Sequence, residues 1–477
     1  MALKKKKAKD ELRIRMYRVG FGDFFLMTVP ADDGPQHILI DCGVTPGKTK
    51  KGDIGTIKDA VAHMAEETGK KLALIIVTHR HQDHIIGFSR SAEIFKDFQV
   101  GAVWMSFWET EYDPNEKKKK TFAAEFQEEL TSLALSMQQQ LALAGADDPD
   151  VGEIAAMLEN ATGVDQTSFA AAGDGDKKPG KGGGTNAASL AFLKTGLGVE
   201  PEYYAKGDKP KLPKALRDAG LTAEILGPPP ADAFDFLKLM DLKKGVGQFL
   251  GESGTGGKRL DPFGPQWQAS AGDYPPSAFA EWTRESQKAP STAMETILQK
   301  AQPALLFTAA KTLDNMLNNQ SLVVLFTFDD KKLLFAGDAQ GGNWEYWMFG
   351  GTPTKTPSLD DLDEKSAGIL GKLDFYKVGH HGSTNATPIS AVQAMAGDFV
   401  SMCSTQADSF GTVENESEVP RIPLLEALGK KSKIVRSDFF PVMIKGNEVA
   451  AVEDAKKLPT PKRGRLEKGP IYIDYFP

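Results

Sequence analysis

The stretch Thr78-His79-Arg80-His81-Gln82-Asp83-His84 constrains this chain more than any other part of it. It follows directly on Leu72 to Val77, the longest compact apolar run, which reads with Lys71 as a buried strand. Three imidazoles and a carboxylate therefore share one short loop at a strand's carboxyl end. By donor type this is a site for a first-row metal ion, because uncoordinated clustered imidazoles offer packing nothing. A second cluster lies far downstream, Lys377-Val378-Gly379-His380-His381-Gly382-Ser383, so five of the seven histidines sit in two short strings. Taken alone, the pair His380-His381 is equally compatible with an ordinary polar turn.

Asp338 occupies a comparable position, an acid at the end of the strand Leu333 to Ala336, after Gly337, which allows a tight turn. Beside the two histidine clusters it supplies a carboxylate able to bridge two metal ions roughly 3.5–4 Å apart, with a hydroxide held between them as nucleophile. Metal-assisted hydrolysis is the expected chemistry. Asp23 and Asp41 end near strand-to-turn positions, where backbone capping and a role at the site are both open readings.

Patterning elsewhere predicts where this site sits. Three short strands fit Ile14 to Cys42, a helix fits Ile57 to Glu67, and Val100 to Trp104 reads as the next strand. Phe122 to Leu143 repeats apolar residues at helical spacing and predicts a long amphipathic helix whose stripe is for packing. Ala170 to Ser189 is rich in Gly and Lys, matches no phosphate-binding loop and reads as a flexible segment. Leu221 to Leu226 predicts a strand, and a polar, Gly- and Pro-rich stretch then runs to about Pro290 without a chemical motif. Ser321 to Phe328, Asp329-Asp330 and Lys332 to Phe335 read as a hairpin. Further strands are expected at Phe375–Val378, Phe399–Met402, Lys433–Val435 and Val442–Ile444, with helices at Pro388–Met395 and Ile422–Leu428. The expected division is a first half over 10–108, a helical and Gly-rich insertion over 109–189, strands over 190–230, a second insertion over 231–316, a second half over 317–450 and a C-terminal tail over 451–477.

Composition excludes several classes. No apolar run approaches the 18 residues or so that a membrane helix needs. The basic start Met1 to Lys7 lacks an apolar stretch after it, and there are only two cysteines, Cys42 and Cys403, so a disulfide framework is not expected and the compartment predicted is cytoplasmic. A formal net charge of −7, from 57 Lys plus Arg against 64 Asp plus Glu, argues against a protein that coats nucleic acid. It leaves room for a nuclease whose basic runs at Lys117–Lys120, Lys177–Lys181 and Lys456–Arg465 guide a phosphate backbone, although solvated loops explain each run as well.

The order His79-x-His81-x-Asp83-His84, with Asp41-Cys42-Gly43 before it and Gly337-Asp338 after it, resembles the metallo-β-lactamase superfamily. Val19-Gly20-Phe21-Gly22-Asp23, Asn319-Gln320-Ser321-Leu322-Val323, Leu334-Phe335-Ala336-Gly337-Asp338 and the His380-His381 string are similar to the ComEC-like branch, whose domain is a soluble nuclease-like or stand-alone hydrolase. The resemblance covers roughly 12–108, 190–230 and 317–446. It implies an α+β fold, a four-layer αββα sandwich with large insertions between the histidine motif and the Gly-Asp strand. It also implies two divalent metal ions, zinc first and manganese as the alternative. His79 and His81 would hold one ion, Asp83 and His84 the other, with Asp338 bridging. One of His380 and His381 would complete the second position, and the other, with Ser383, would meet the leaving oxygen.

Relatives carry a further histidine after the His-His-Gly-Ser motif, where this chain has Phe410-Gly411-Thr412-Val413 and no histidine beyond His381. Asp408, Glu414, a water or a partner would have to complete the site, or one metal would bind weakly. The function implied is a phosphodiesterase or nuclease. The alternatives are a hydrolase of a small phosphoester or lactone, and a partner-activated subunit of a bacterial conflict or defence system that binds its protein partner through the insertions. No membrane partner is expected.

Overall fold

The computed structural model describes residues 11–46, 56–112, 120–144, 149–164, 185–238, 303–351, 359–413, 417–438, 443–444, 447–448 and 458–477. Fourteen strands build two large sheets: β1 Arg13–Tyr17, β2 Phe24–Val29, β3 Gln36–Cys42, β4 Leu74–Val77, β5 Val103–Ser106, β6 Pro201–Tyr204, β7 Thr222–Gly227, β8 Val323–Phe328, β9 Lys331–Phe335, β10 Leu373–Lys377, β11 Phe399–Cys403, β12 Ser432–Arg436, β13 Arg465–Lys468 and β14 Tyr472–Phe476. The first sheet has the order β13-β14-β1-β2-β3-β4-β5-β6 and the second β12-β11-β10-β9-β8-β7. The protein is thus a mixed α/β fold with several sheets.

Strand alternation explains how the layers form. In β2, Phe25 and Met27 point to one side and Phe24 and Leu26 to the other; in β8, Val324 and Phe326 oppose Val323 and Leu325. The first set from each sheet meets in one core, where Ile38, Ile76 and Trp104 join Phe335, Phe375 and Met402. Each sheet's outer face is buried under helices. Ile57–Thr68 and Gln82–Arg90 cover the first through Val61, Met64, Ile85 and Phe88, and Gly341–Met348 and Ile422–Gly429 cover the second through Trp344, Trp347 and Leu424. Both sheets are apolar on their inner faces and largely so on their outer ones, where the buried Arg15–Asp474 pair is an exception, and burial of each large apolar side chain contributes about 1.5–3 kcal/mol.

From β3 through β6, and again from β9 through β12, neighbouring strands run parallel. Their carboxyl ends carry the histidine motifs. Thr56 opens the helix Ile57–Thr68 with a reciprocal capping pair to Asp59, and Gly69 closes it in the left-handed conformation.

Several expectations change in the structure. Lys71 to Val77 is interrupted at Ala73: Lys71–Leu72 pairs with Gln99–Val100, and only Leu74–Val77 enters the first sheet. The stretch expected as a C-terminal tail supplies β13 and β14, because β1 has a free edge and the alternating Ile473 and Tyr475 reach the inter-sheet core. The expected flexible segment Ala170 to Ser189 lies outside the described residues up to 184, and its end begins the helix Thr185–Thr195. The strand expected at Val442–Ile444 is described only as Met443–Ile444, paired with Asn447–Glu448. Among the described residues no helix is long and apolar enough to cross a membrane.

The two insertions meet. Helix Phe122–Ala144, expected from its periodicity, packs with Pro149–Thr162 and with Pro303–Asn318 of the second insertion. Met137, Leu141, Ile154, Leu158, Leu313 and Leu317 form their shared core. This helical cap rests beside the ends of the strands.

Candidate metal centre

Local backbone structure sets the first motif. β4 ends at Val77, and His81 occupies the cap position of the helix Gln82–Arg90, which places Asp83 in its first turn, where the helix dipole favours an acid. The turn after β3 comes close beneath it. A Cβ on Gly43 would stand 2.1 Å from the Asp83 carbonyl carbon, so only glycine fits. Asp41, in the left-handed region at φ 54°, accepts from the Thr78 N–H at 2.8 Å and from its hydroxyl at 2.7 Å. The same carboxylate meets His84 Nδ1 at 2.8 Å.

The second sheet brings the partners. Asp338 follows β9 and is held by its own N–H donating to Ser321 Oγ at 3.1 Å. His380 and His381 follow β10 with φ of 41° and 51°, two successive left-handed residues that turn the imidazoles apart. His381 goes inward: Nδ1 lies 2.7 Å from the Ser404 carbonyl, and Nε2 lies 3.0 Å from Asp83 Oδ2 and 3.4 Å from Asp338 Oδ2. His84 Nε2 is 3.0 Å from Asp338 Oδ2. Asp83, His84, Asp338 and His381 therefore form a buried group, one donor atom of each within 4.8 Å of the others, that could hold a metal ion.

His79 and His81 flank this group. Their rings stand 4.7 Å apart, and the Nε2 of each is buried without a hydrogen-bond partner, as is Asp83 Oδ1. Buried polar atoms are normally satisfied, so these orphaned donors fit a cation bound among them. His380 turns the other way. Its Nδ1 is 2.6 Å from Ser383 Oγ, 3.1 Å from Gln340 Nε2 and 3.1 Å from Asn385 Oδ1, and its Nε2 is 3.4 Å from Asn318 Nδ2.

Charge points the same way. Asp23, Asp41, Asp83 and Asp338 are buried, and the one buried ammonium among them is Lys377, paired with Asp23 and 3.2 Å from Asp338 Oδ1. Burial alone would neutralise these carboxyls, yet His84 and His381 outweigh it at Asp338 and hold that carboxyl well below its usual range. At His84 burial opposes the charged ring, but Asp338, Asp41, Asp83 and Asp23 together hold its pKa well above the ordinary value. Burial, reinforced by its neighbouring imidazoles, pushes His79 well below its ordinary value, and burial brings His81 down to about 4. Neutral imidazoles are the form that ligates metal, and a divalent ion at the carboxylates would release the protons of His84 and His381.

Sequence patterns missed three contributors, two of them outside any motif and one, Lys377, read only as the start of the second histidine string. Lys377 is legible only once β10 is placed. Asp314, from helix Pro303–Asn318, puts Oδ1 3.7 Å from His81 Nε2, and burial, then Asp83 and Asp338, raise its carboxyl to about 8. Asn160 of the cap accepts from the Asp83 N–H at 3.2 Å. Asp23 and Asp41, left open between capping and site roles, both reach the cluster, Asp23 at 3.7 Å from His84 Nδ1 and 3.6 Å from His381 Nδ1. Asp408 is exposed on the loop after β11, and Glu414 lies outside the described residues. Of the basic runs, Lys117–Lys119 and Lys177–Lys181 lie outside them as well. Lys462 and Arg463 pair with Asp398 and Asp374, at the starting ends of β11 and β10, opposite the ends that carry the site. No protein-family model matches this chain, and no curated protein matches it either.

Proposed function

We propose that this chain is a metal-dependent hydrolase of phosphoesters, of the metallo-β-lactamase type and the ComEC-like branch. The observation that carries the reading is the convergence of Asp83, His84, Asp338 and His381, beside two buried imidazole nitrogens with no partner. The helix, sheet, sheet, helix succession, with the donors at carboxyl ends of strands from both sheets, supports the αββα assignment.

Two divalent ions fit the donor set, zinc first by its preference for imidazole and carboxylate, manganese second. Bound there, they supply Lewis acidity toward phosphoryl oxygens and make water a nucleophile near neutral pH. Asp83, His84 and His381 would hold one and His79 and His81 the other, with Asp338 within reach of the first. The chain's own groups prepare this. With each Nδ1 carrying its proton, His84 donates to Asp41 and His381 donates to the Ser404 carbonyl, which leaves each Nε2 lone pair turned into the site. His380, hydrogen-bonded to Ser383, stands next to the cluster as a proton donor for a leaving oxygen.

A specific observation favours a small phosphoester over a long nucleic acid: His79, His81, Asp83, His84, Asp338 and His381 are each at most 2% exposed, and the cap's Asn160 and Asp314 reach the first motif itself. The test is metal content by plasma mass spectrometry on purified protein and its Asp338→Ala variant, run beside cleavage of bis(p-nitrophenyl) phosphate and of DNA. Two metals per chain, lost with cleavage in the variant, is the expected result. No metal and no cleavage of either substrate by the intact chain would sink the reading.

A further inference from the structure

The geometry points to Asp314, carried by the cap helix Pro303–Asn318, as the protein ligand that completes the metal position of His79 and His81. The inference rests on the metallohydrolase reading above and adds to it a donor from outside both sheets. Three observations carry it. First, His81 Nε2 has no hydrogen-bond partner, and Asp314 Oδ1 stands 3.7 Å away. Donor atoms about 2.0–2.2 Å from one tetrahedral ion lie roughly 3.3–3.6 Å from each other, so this spacing suits two ligands of one ion better than a hydrogen bond.

Second, the carboxylate is aimed. Asn318, one helical turn on, donates Nδ2 to Asp314 Oδ2 at 3.0 Å, which fixes the group and leaves Oδ1 toward His81. Leu313 and Leu317, one and three positions away on the same helix, are buried in the cap core, so packing fixes the helix's rotation and holds Asp314 at the edge of its apolar face. Asn315 also reaches across, accepting from Asn385 Nδ2 at 3.0 Å, which ties the helix to the turn beyond His381. Third, no other histidine nitrogen is free for the role: His380 meets Ser383 Oγ with Nδ1 at 2.6 Å and Asn318 Nδ2 with Nε2 at 3.4 Å, and His37 and His63 lie elsewhere, against Thr28 and Tyr17. A carboxylate from the cap fills the place, and the cap becomes part of the metal centre.

The test uses the full chain, stripped by chelation and titrated with zinc alone against a chromophoric competitor, as wild type, Asp314→Asn and Asp314→Glu. Wild type is expected to bind two ions. Asp314→Asn should keep one at wild-type affinity and bind the other more than about 10-fold more weakly, with Asp314→Glu recovering part of the loss. The metal-free melting temperatures of the three should agree, since Asn keeps the shape and the bond from Asn318. Two ions at wild-type affinity in Asp314→Asn would overturn the assignment and leave the hydrolase reading standing. A lowered metal-free melting temperature with unchanged affinities would overturn it too, by making Asp314 structural. A wild-type chain that binds no zinc would remove the metallohydrolase reading and this inference with it.

Discussion

The two halves of the candidate metal centre are built differently. Asp83, His84, Asp338 and His381 hang from strand ends of two packed sheets, with each imidazole fixed by Asp41 or the Ser404 carbonyl. His79 and His81 share the motif loop, but the group facing His81 comes from a helix of the cap, some 230 residues further along the chain. A donor set on rigid strands is preorganised by the main core. One completed from a cap is organised only while the cap is docked.

The largest effect should come from Asp338, whose Oδ2 stands 3.0 Å from His84 Nε2 and 3.4 Å from His381 Nε2. Asp338→Ala is expected to release both ions and lower phosphodiester cleavage by on the order of 10³-fold, because it removes a charge at the reacting centre and leaves Lys377 facing Asp23 alone. Metal analysis with kcat/KM checks it, and retention of one tight ion would show that the halves are independent. The scaffold can be broken without touching a donor. Gly43→Ala places a methyl 2.1 Å from the Asp83 carbonyl carbon, where backbone must move, and should cost about 1–3 kcal/mol with loss of the sheet-held ion. Thermal melting with and without zinc reads both. Asp41→Asn is milder: His84 keeps a neighbour but loses the charge that fixes its tautomer, and zinc affinity should fall about 10–100-fold at the sheet-held position only. Equal weakening at both positions would erase the distinction.

Sequence reading reached the donors on the strand ends and stopped short of the one from the cap for a physical reason. His79, His81, Asp83 and His84 fall within six residues directly after a strand, and Asp338 and His381 follow strongly apolar strands, so local patterning places them. Asp314 lies in a helix whose apolar positions Ala310, Leu313 and Leu317 follow helical spacing, a signal passed over in reading 231–316 only as an insertion. Its contact with His81 depends on three helices from two insertions packing together, which no window of sequence contains. β14 was missed similarly: Tyr472 to Phe476 alternates as strands do, but its partner β1 lies more than 450 residues away. Lys377 reads as part of the strand Phe375–Val378, at the head of the second histidine string, and only the turn of Asp23 toward it reveals a buried ion pair.

The smallest effect separates the halves most cleanly, because it leaves the covalent chain untouched. If a cap carboxylate ligates, zinc bound to the folded site must also hold the cap down, by linkage. Chelation should then speed amide exchange in the helix Pro303–Asn318 by about tenfold, equivalent to ~1.4 kcal/mol of coupling. β4 and β9, buried in the inter-sheet core, should exchange at unchanged rates. In Asp314→Asn the cap helix should respond to chelation no more than the strands do. An undiminished response in that variant would mean that the cap senses metal through Asn160 and the Asp83 backbone, and that both halves of the centre belong to the sheets.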